Sequence, residues 1–232
     1  MILPVYLALI QEEFYKPLPH GIHPGWMACE FSQADGLTNL PATLPEDCML
    51  IISDSQVLPE YNEDLILSQL ESLKAESILL DFQRPYDKKL QQLAEKIVAK
   101  LPCPVGVSHR YAEKLNCPVF LPPVPLNQTP KAYLQPWKGR EIWLDTALDA
   151  LEILVTETGS QFLPVQSPAP GKPVFIDTQL HCCYYTQVTD KAVQFTLYRT
   201  RETLSSLLAS AETHGTTRCI GLYRELCEKG VL

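Results

Sequence analysis

Glycine is scarce in this sequence, ten in 232 residues, and none of them sits in a G-x-G-x-x-G or Walker pattern. That counts against folds that cradle a nucleotide phosphate on a glycine-rich turn. Neither a G-x-S-x-G elbow nor an H-E-x-x-H pair occurs, so the serine-hydrolase and zinc-protease signatures are both missing. Basic residues are in deficit: 19 Lys and Arg against 27 Asp and Glu leave a net charge of −8. A phosphate-tracking surface is therefore not expected, nor is nucleic acid as a partner. The apolar start, residues 1–10, has no basic flank, carries Pro4 and runs straight into Gln11, Glu12 and Glu13. It reads as a first strand, with no signal peptide, no transmembrane span and no membrane partner expected. Internal repeats and low-complexity tracts are also absent.

Eight cysteines are present, but no Cys-x-x-Cys, and most of them fall within apolar runs. Buried free thiols in a reducing, cytoplasmic setting are the reading this supports. His20 and His23 lie in a Pro/Gly loop with no third ligand close by in sequence, so neither a metal nor another cofactor is expected.

With 46% hydrophobic residues the chain can bury a full core, and a single domain over 1–232 is the natural count. The most informative stretch is Ser77-Ile78-Leu79-Leu80-Asp81-Phe82-Gln83-Arg84-Pro85. Strand alternation puts Leu79, Asp81 and Gln83 on one side and Ile78, Leu80 and Phe82 on the other, so two polar residues enter one space where Pro85 ends the strand. Behind Asp87 as N-cap, Leu90, Leu93, Ala94, Ile97, Val98 and Leu101 share a helical face. Upstream, residues 25–31 and 48–54 read as strands separated by loop at 35–47, and 63–73 has helical spacing. Asp54 is thus a second strand-end carboxylate.

Downstream, 105–109, 118–121 and 140–146 read as strands, the last putting Glu141, Trp143 and Asp145 on one face. An aromatic ring beside carboxylates suits a sugar platform and equally suits a core. Residues 151–165 and 181–198 read as hairpins, and 167–173 as a solvent loop. Thr200 caps a last helix that ends at Gly215, and 217–223 forms a closing strand. About eight strand cores joined mostly by crossovers predict a TIM-barrel-like (β/α)8 fold, trimmed of some outer helices and carrying β-hairpin insertions. An open doubly wound sheet is the rival. Leu7, Leu79, Val107, Leu144 and Leu222 should all be buried.

Leu80-Asp81-Phe82-Gln83 resembles a shortened form of the fourth-strand signature of family 18 glycoside hydrolases, the chitinase-like barrels. There the signature runs Asp-x-x-Asp-x-Asp-x-Glu, with the Glu as proton donor and the preceding Asp positioning the substrate's acetamido group. Asp81 matches that Asp, Gln83 stands where the Glu would be, and Leu79 takes an earlier Asp position. The resemblance implies a barrel with a carbohydrate ligand and Asp81 and Gln83 at the catalytic positions. An amide cannot donate a proton as a carboxylic acid does, and general acid catalysis is worth about 10²–10⁴-fold, so hydrolysis by the family route should be crippled.

Three functions stay open. One is a glycan-binding, non-hydrolytic barrel whose ligand meets Asp81, Gln83, Asp54, Trp143, Asp145, Tyr223 and Glu225. Another is a hydrolase using a different strand-end carboxylate, such as Glu30, Asp54, Asp145 or Glu225. The third is a structural or interaction protein using the hairpins. Nothing in the sequence fixes an oligomeric state.

Overall fold

In the computed structural model, residues 3–32, 34–54, 62–165 and 173–227 are described. Their strands, in chain order, are β1 (Val5–Leu9), β2 (Ile22–Ser32), β3 (Gly36–Thr38), β4 (Met49–Ser53), β5 (Ser77–Asp81), β6 (Val105–Ser108), β7 (Val119–Leu121), β8 (Ile142–Thr146), β9 (Ala150–Thr156), β10 (Gly159–Pro164), β11 (Phe175–Asp177), β12 (Cys182–Val188), β13 (Ala192–Tyr198) and β14 (Thr216–Leu222). Chain contacts group them into two compact units: residues 1–122, 139–145 and 216–223 form the first, and 123–138, 146–215 and 224–232 the second.

The first unit is a closed barrel. Strand β1 pairs in parallel with β2 on one side and β14 on the other, and the order β1-β14-β8-β7-β6-β5-β4-β2 completes the ring. Strand β5 is therefore the fourth barrel strand in chain order. Apolar side chains from six strands, Tyr6, Ala8, Met49, Ile51, Leu79, Phe120, Trp143 and Ile220, fill the interior. The chain gains these strands from β-branched and leucine runs, buried on both faces, as in parallel sheets covered by helices.

Helix α1 (Glu63–Leu73) starts where the Asn62 side chain accepts the Leu65 N–H, and it buries Ile66, Leu67 and Leu70. Helix α2 (Lys88–Lys100) starts where Asp87 accepts from Lys89 and Leu90, and its buried Leu90, Leu93, Ala94 and Ile97 follow the spacing read from the sequence. A short α3 (His109–Ala112) follows β6. The second unit holds α4 (Pro130–Leu134), α5 (Arg201–Thr213) and most of α6 (Tyr223–Leu226). Six α-helices among the described residues, fewer than a regular barrel's eight, give the trimmed TIM-barrel architecture. No described helix is long and apolar enough to cross a membrane.

One end of the barrel is tied by a polar cluster. Arg218 on β14 donates through Nη1 and Nη2 to Glu76 at 2.8 and 2.9 Å, and through Nη1 to Ser77 Oγ at 2.8 Å and Tyr6 OH at 2.9 Å. Its guanidinium lies 4.8 Å over the Trp143 ring, and the Tyr6 ring stacks on His23. These residues start or precede their strands, so this is the N-terminal end.

The second unit contains the antiparallel sheet β10-β9-β13-β12-β11. Its two long hairpins are those expected, with β11 added at an edge. The fully buried Arg199 side chain donates to Asp149 at 3.2 Å and to the Val124 carbonyl at 2.6 Å, pinning the proline-rich segment inside this unit.

Some sequence expectations change. Within 35–47, Gly36–Thr38 pairs antiparallel with the end of β2, because Gly36 at φ 73° makes the tight return. Leu7, Leu79, Val107 and Leu144 are buried, but Leu222 is 46% exposed, because it is the last residue of β14 and stands at the barrel's rim. Most of the expected solvent loop at 167–173 lies outside the described residues.

Candidate functional site

The C-terminal ends of β4 and β5 carry the polar groups singled out in the sequence. In β5 the inward series is Ser77, Leu79, Asp81, since Leu79 belongs to the interior cluster and alternate residues share a face. Ser53 of β4 is in register with Asp81. One residue beyond β4, Asp54 is only 2% exposed, and its two carboxylate oxygens accept the backbone N–H groups of Gln83 at 2.9 Å and Arg84 at 3.1 Å. Asp54 therefore fixes the path of the chain leaving β5.

Asp81 is half-buried, and the exposed Gln83 donates to it from Nε2 at 2.9 Å. Burial pushes the Asp81 carboxyl above the usual range and the nearby Asp54 charge adds to this, while hydrogen bonds from Gln83 and Ser108 oppose it. The Ser108 hydroxyl, at the end of β6, has the Leu80 carbonyl at 3.2 Å as an alternative acceptor. Asp54, Asp81 and Gln83 thus come together in one place.

The loop 82–87 is held from several sides. Arg110 Nη1 reaches the carbonyls of Gln83 and Arg84 at 3.4 Å each. The Tyr111 hydroxyl donates to the Pro85 carbonyl and accepts the Asp87 N–H. Phe82 packs edge-on against Tyr111, and Tyr86 stacks on the same ring with centroids 5.6 Å apart. Tyr86 is 61% exposed, so it offers a supported aromatic surface on the loop that leaves β5. Sequence reading missed Tyr86; its one signal was an aromatic directly after the strand-ending Pro85.

The other expected ligand contacts differ in their settings. Trp143 is fully buried, donates its indole N–H to Glu141 at 3.0 Å and lies under Arg218. A Cβ on Gly106 of β6 would come within 2.2 Å of its ring. Trp143 is thus a core residue at the N-terminal end and presents no ring face to a ligand; alternation gave its inward direction but not its level in the barrel. Asp145, the next inward position on β8, is half-buried and engaged within the fold. Tyr223 begins α6 and is 9% exposed, with the Lys16 ammonium 5.0 Å over its ring. Glu225 belongs to the second unit, where it accepts the Leu148 N–H. Glu30 lies in the β2–β3 pairing, opposite Thr38.

Among the described residues no group of three or more His, Cys, Asp or Glu is placed to hold a metal ion. All eight cysteines are free, and burial raises the Cys29 and Cys48 thiols to about 12.

No family model matches the sequence, and no curated protein matches it. Solved structures do match. The C-terminal domain of a putative chitinase from Desulfitobacterium hafniense superposes with a TM-score of 0.59 at 10% identity, over 99% of this chain and 96% of that one. A chitinase-like agglutinin from Robinia pseudoacacia gives 0.59 at 11% identity, over 93% of each chain. A class V chitinase mutant from the plant Cycas revoluta, in complex with (GlcNAc)3, gives 0.56 at 10% identity, over 95% and 94%. Together with the closed ring of eight strands, these likenesses show that the chain folds as a chitinase-like (β/α) barrel.

Proposed function

We propose that this protein binds a glycan at the C-terminal mouth of its barrel without hydrolysing it. The observation that carries this reading is the Gln83 amide, donating to the Asp81 carboxylate at 2.9 Å at the end of the fourth barrel strand. The resembling family uses a Glu acid at that position. A carboxamide there can hydrogen-bond a sugar's hydroxyl or acetamido groups but cannot protonate a departing oxygen. Asp81 positions the ligand, and Tyr86, stacked on Tyr111, supplies the aromatic surface that Trp143 does not. Asp54 acts through the backbone of 83–84 and does not touch the ligand. The likeness to a protein described as a chitinase-like agglutinin is in keeping with binding in the absence of turnover. The free thiols, five of them buried, fit a cytoplasmic setting.

The test is calorimetric titration with N-acetylglucosamine oligomers alongside a hydrolysis assay. Wild type should bind and release no product, and Asp81→Asn and Tyr86→Ala should each weaken binding about tenfold. Gln83→Glu restores the missing acid and should gain weak, pH-dependent hydrolysis that disappears in the Asp81→Asn, Gln83→Glu double variant. Robust wild-type turnover that survives Asp81→Asn would place the active centre elsewhere.

A further inference from the structure

A regular barrel covers its first strands with helices, but the connections at residues 10–21 and 39–48 are irregular and proline-rich. Between them lies a hollow of about 560 Å³, inside the range of small-molecule sites. It shares no lining residue with the Asp81 site: its lining comes from Gln11, Phe14, Tyr15, Trp26 and residues 39–45. Met27 packs against the barrel interior, so its neighbour Trp26 faces outward, and Trp26 forms the floor of the hollow at 5% exposure. Phe14 stands edge-on to Trp26, with ring centroids 4.3 Å apart, and Tyr15 stands edge-on to Phe14 and is 89% exposed.

The polar groups of this hollow define its ligand. Trp26 spends its indole N–H on the Asn39 carbonyl at 3.1 Å, which ties the floor to the wall. The side-chain amides of Gln11 and Asn39 and the Thr43 hydroxyl line the same space and make no hydrogen bond to another described residue. Asn39 is held at φ 56°, a left-handed backbone that Asn tolerates better than most residues. No lining residue is charged. Phosphate, carboxylate or ammonium ligands would enter without a counter-charge and lose their hydration. What matches solvent-facing amides and a hydroxyl beside aromatic rings is a neutral molecule with an apolar face and a hydroxylated rim.

We propose that the hollow floored by Trp26 and bounded by residues 11–15 and 39–45 is a second binding site, for a neutral pyranose oligosaccharide. Tyr15 and Phe14 pack on the apolar face of a sugar ring, and the Gln11 and Asn39 amides take its hydroxyls. The site stands whether or not the barrel mouth binds a glycan.

The experiment uses the full chain carrying Asp81→Asn and Gln83→Ala, which disables the mouth. It is titrated with the trisaccharides of glucose and of N-acetylglucosamine, followed by calorimetry and by amide and indole N–H shifts in NMR. Saturable binding is expected, with shifts confined to 11–15, Trp26 and 39–45, and Tyr15→Ala or Gln11→Ala should weaken it about tenfold. The thermal midpoint of Tyr15→Ala should match its parent, because that side chain is exposed, so a loss of binding reads the site and not the fold. Absence of saturable binding in the millimolar range would overturn the proposal, as would binding indifferent to Tyr15 and Gln11. Tyr15-dependent capture of a polyproline peptide in place of either sugar would also overturn it, and would mark a peptide groove. None of these failures bears on the mouth, which is tested in the protein with Asp81 and Gln83 intact.

Discussion

The two ends of the barrel use similar residues in opposite ways. At the N-terminal end Glu76 shares a bidentate contact with Arg218, a bond from Tyr6 and another from Ser77, with the Arg218 guanidinium over Trp143. At the C-terminal end Asp81 faces a carboxamide, with a second carboxylate, Asp54, close enough to disfavour its charge. Burial pushes the Glu76 carboxyl up, but hydrogen bonds from Arg218, Ser77 and Tyr6 and the Arg218 charge hold it below the usual range. Among the described residues no cation does this for Asp81, whose carboxyl stays above its ordinary value. One end is satisfied and the other is left under tension, as expected where the N-terminal face of a barrel serves stability and the C-terminal face serves function.

The sharpest way to break this contrast is at Gly106. An added Cβ would meet the Trp143 ring, which cannot retreat under Arg218, so Gly106→Ala should cost roughly 2–3 kcal/mol in urea unfolding. Next, Arg218→Ala should cost about 2 kcal/mol at neutral pH, discounted from a fully buried pair because both partners keep some exposure. The Glu76 carboxyl is lower folded than unfolded, so its stabilisation is present above the unfolded value and fades as pH falls through the folded one. The gap between Arg218→Ala and wild type should therefore close on acidification. At the mouth, Gln83→Glu sets a second carboxylate against Asp81 and should cost about 1 kcal/mol at neutral pH, recovered as the pair takes up a proton. Smallest is Asp81→Asn, which should stabilise the fold by a few tenths of a kcal/mol at neutral pH. Its sign is the reverse of Glu76's: the folded state holds the Asp81 proton more tightly, so wild type gains on acidification and the difference vanishes there. A destabilised Asp81→Asn would mean that the mouth is structural like the opposite end.

Much of the barrel was readable because its signals are local. Asp87 and the leucine spacing behind it define α2, and the polar alternation of 77–83 marks a strand end. The Trp143 environment was not readable, since it depends on Arg218 and Gly106 arriving from other strands. Alternation says inward or outward and nothing about height along the barrel axis. Tyr86 escaped because an exposed aromatic gains meaning only from the Tyr111 ring behind it. Asp54 was correctly placed at a strand end, but its bonds to the backbone of residues 83 and 84 needed the register of β4 on β5.

The contact between Arg218 and Tyr6 joins residues 212 apart, and Val5–Ala8 find their second neighbour only in Cys219–Leu222. During synthesis β1 can pair with β2 almost at once, but its other edge waits until nearly the whole of this sequence has emerged from the ribosome. Ring closure is therefore a late event with a large loop-closure cost, and the half-made barrel carries an unprotected apolar edge in the meantime. Yield in the cell should accordingly depend on chaperone supply and elongation rate, even for variants whose finished fold is as stable as wild type.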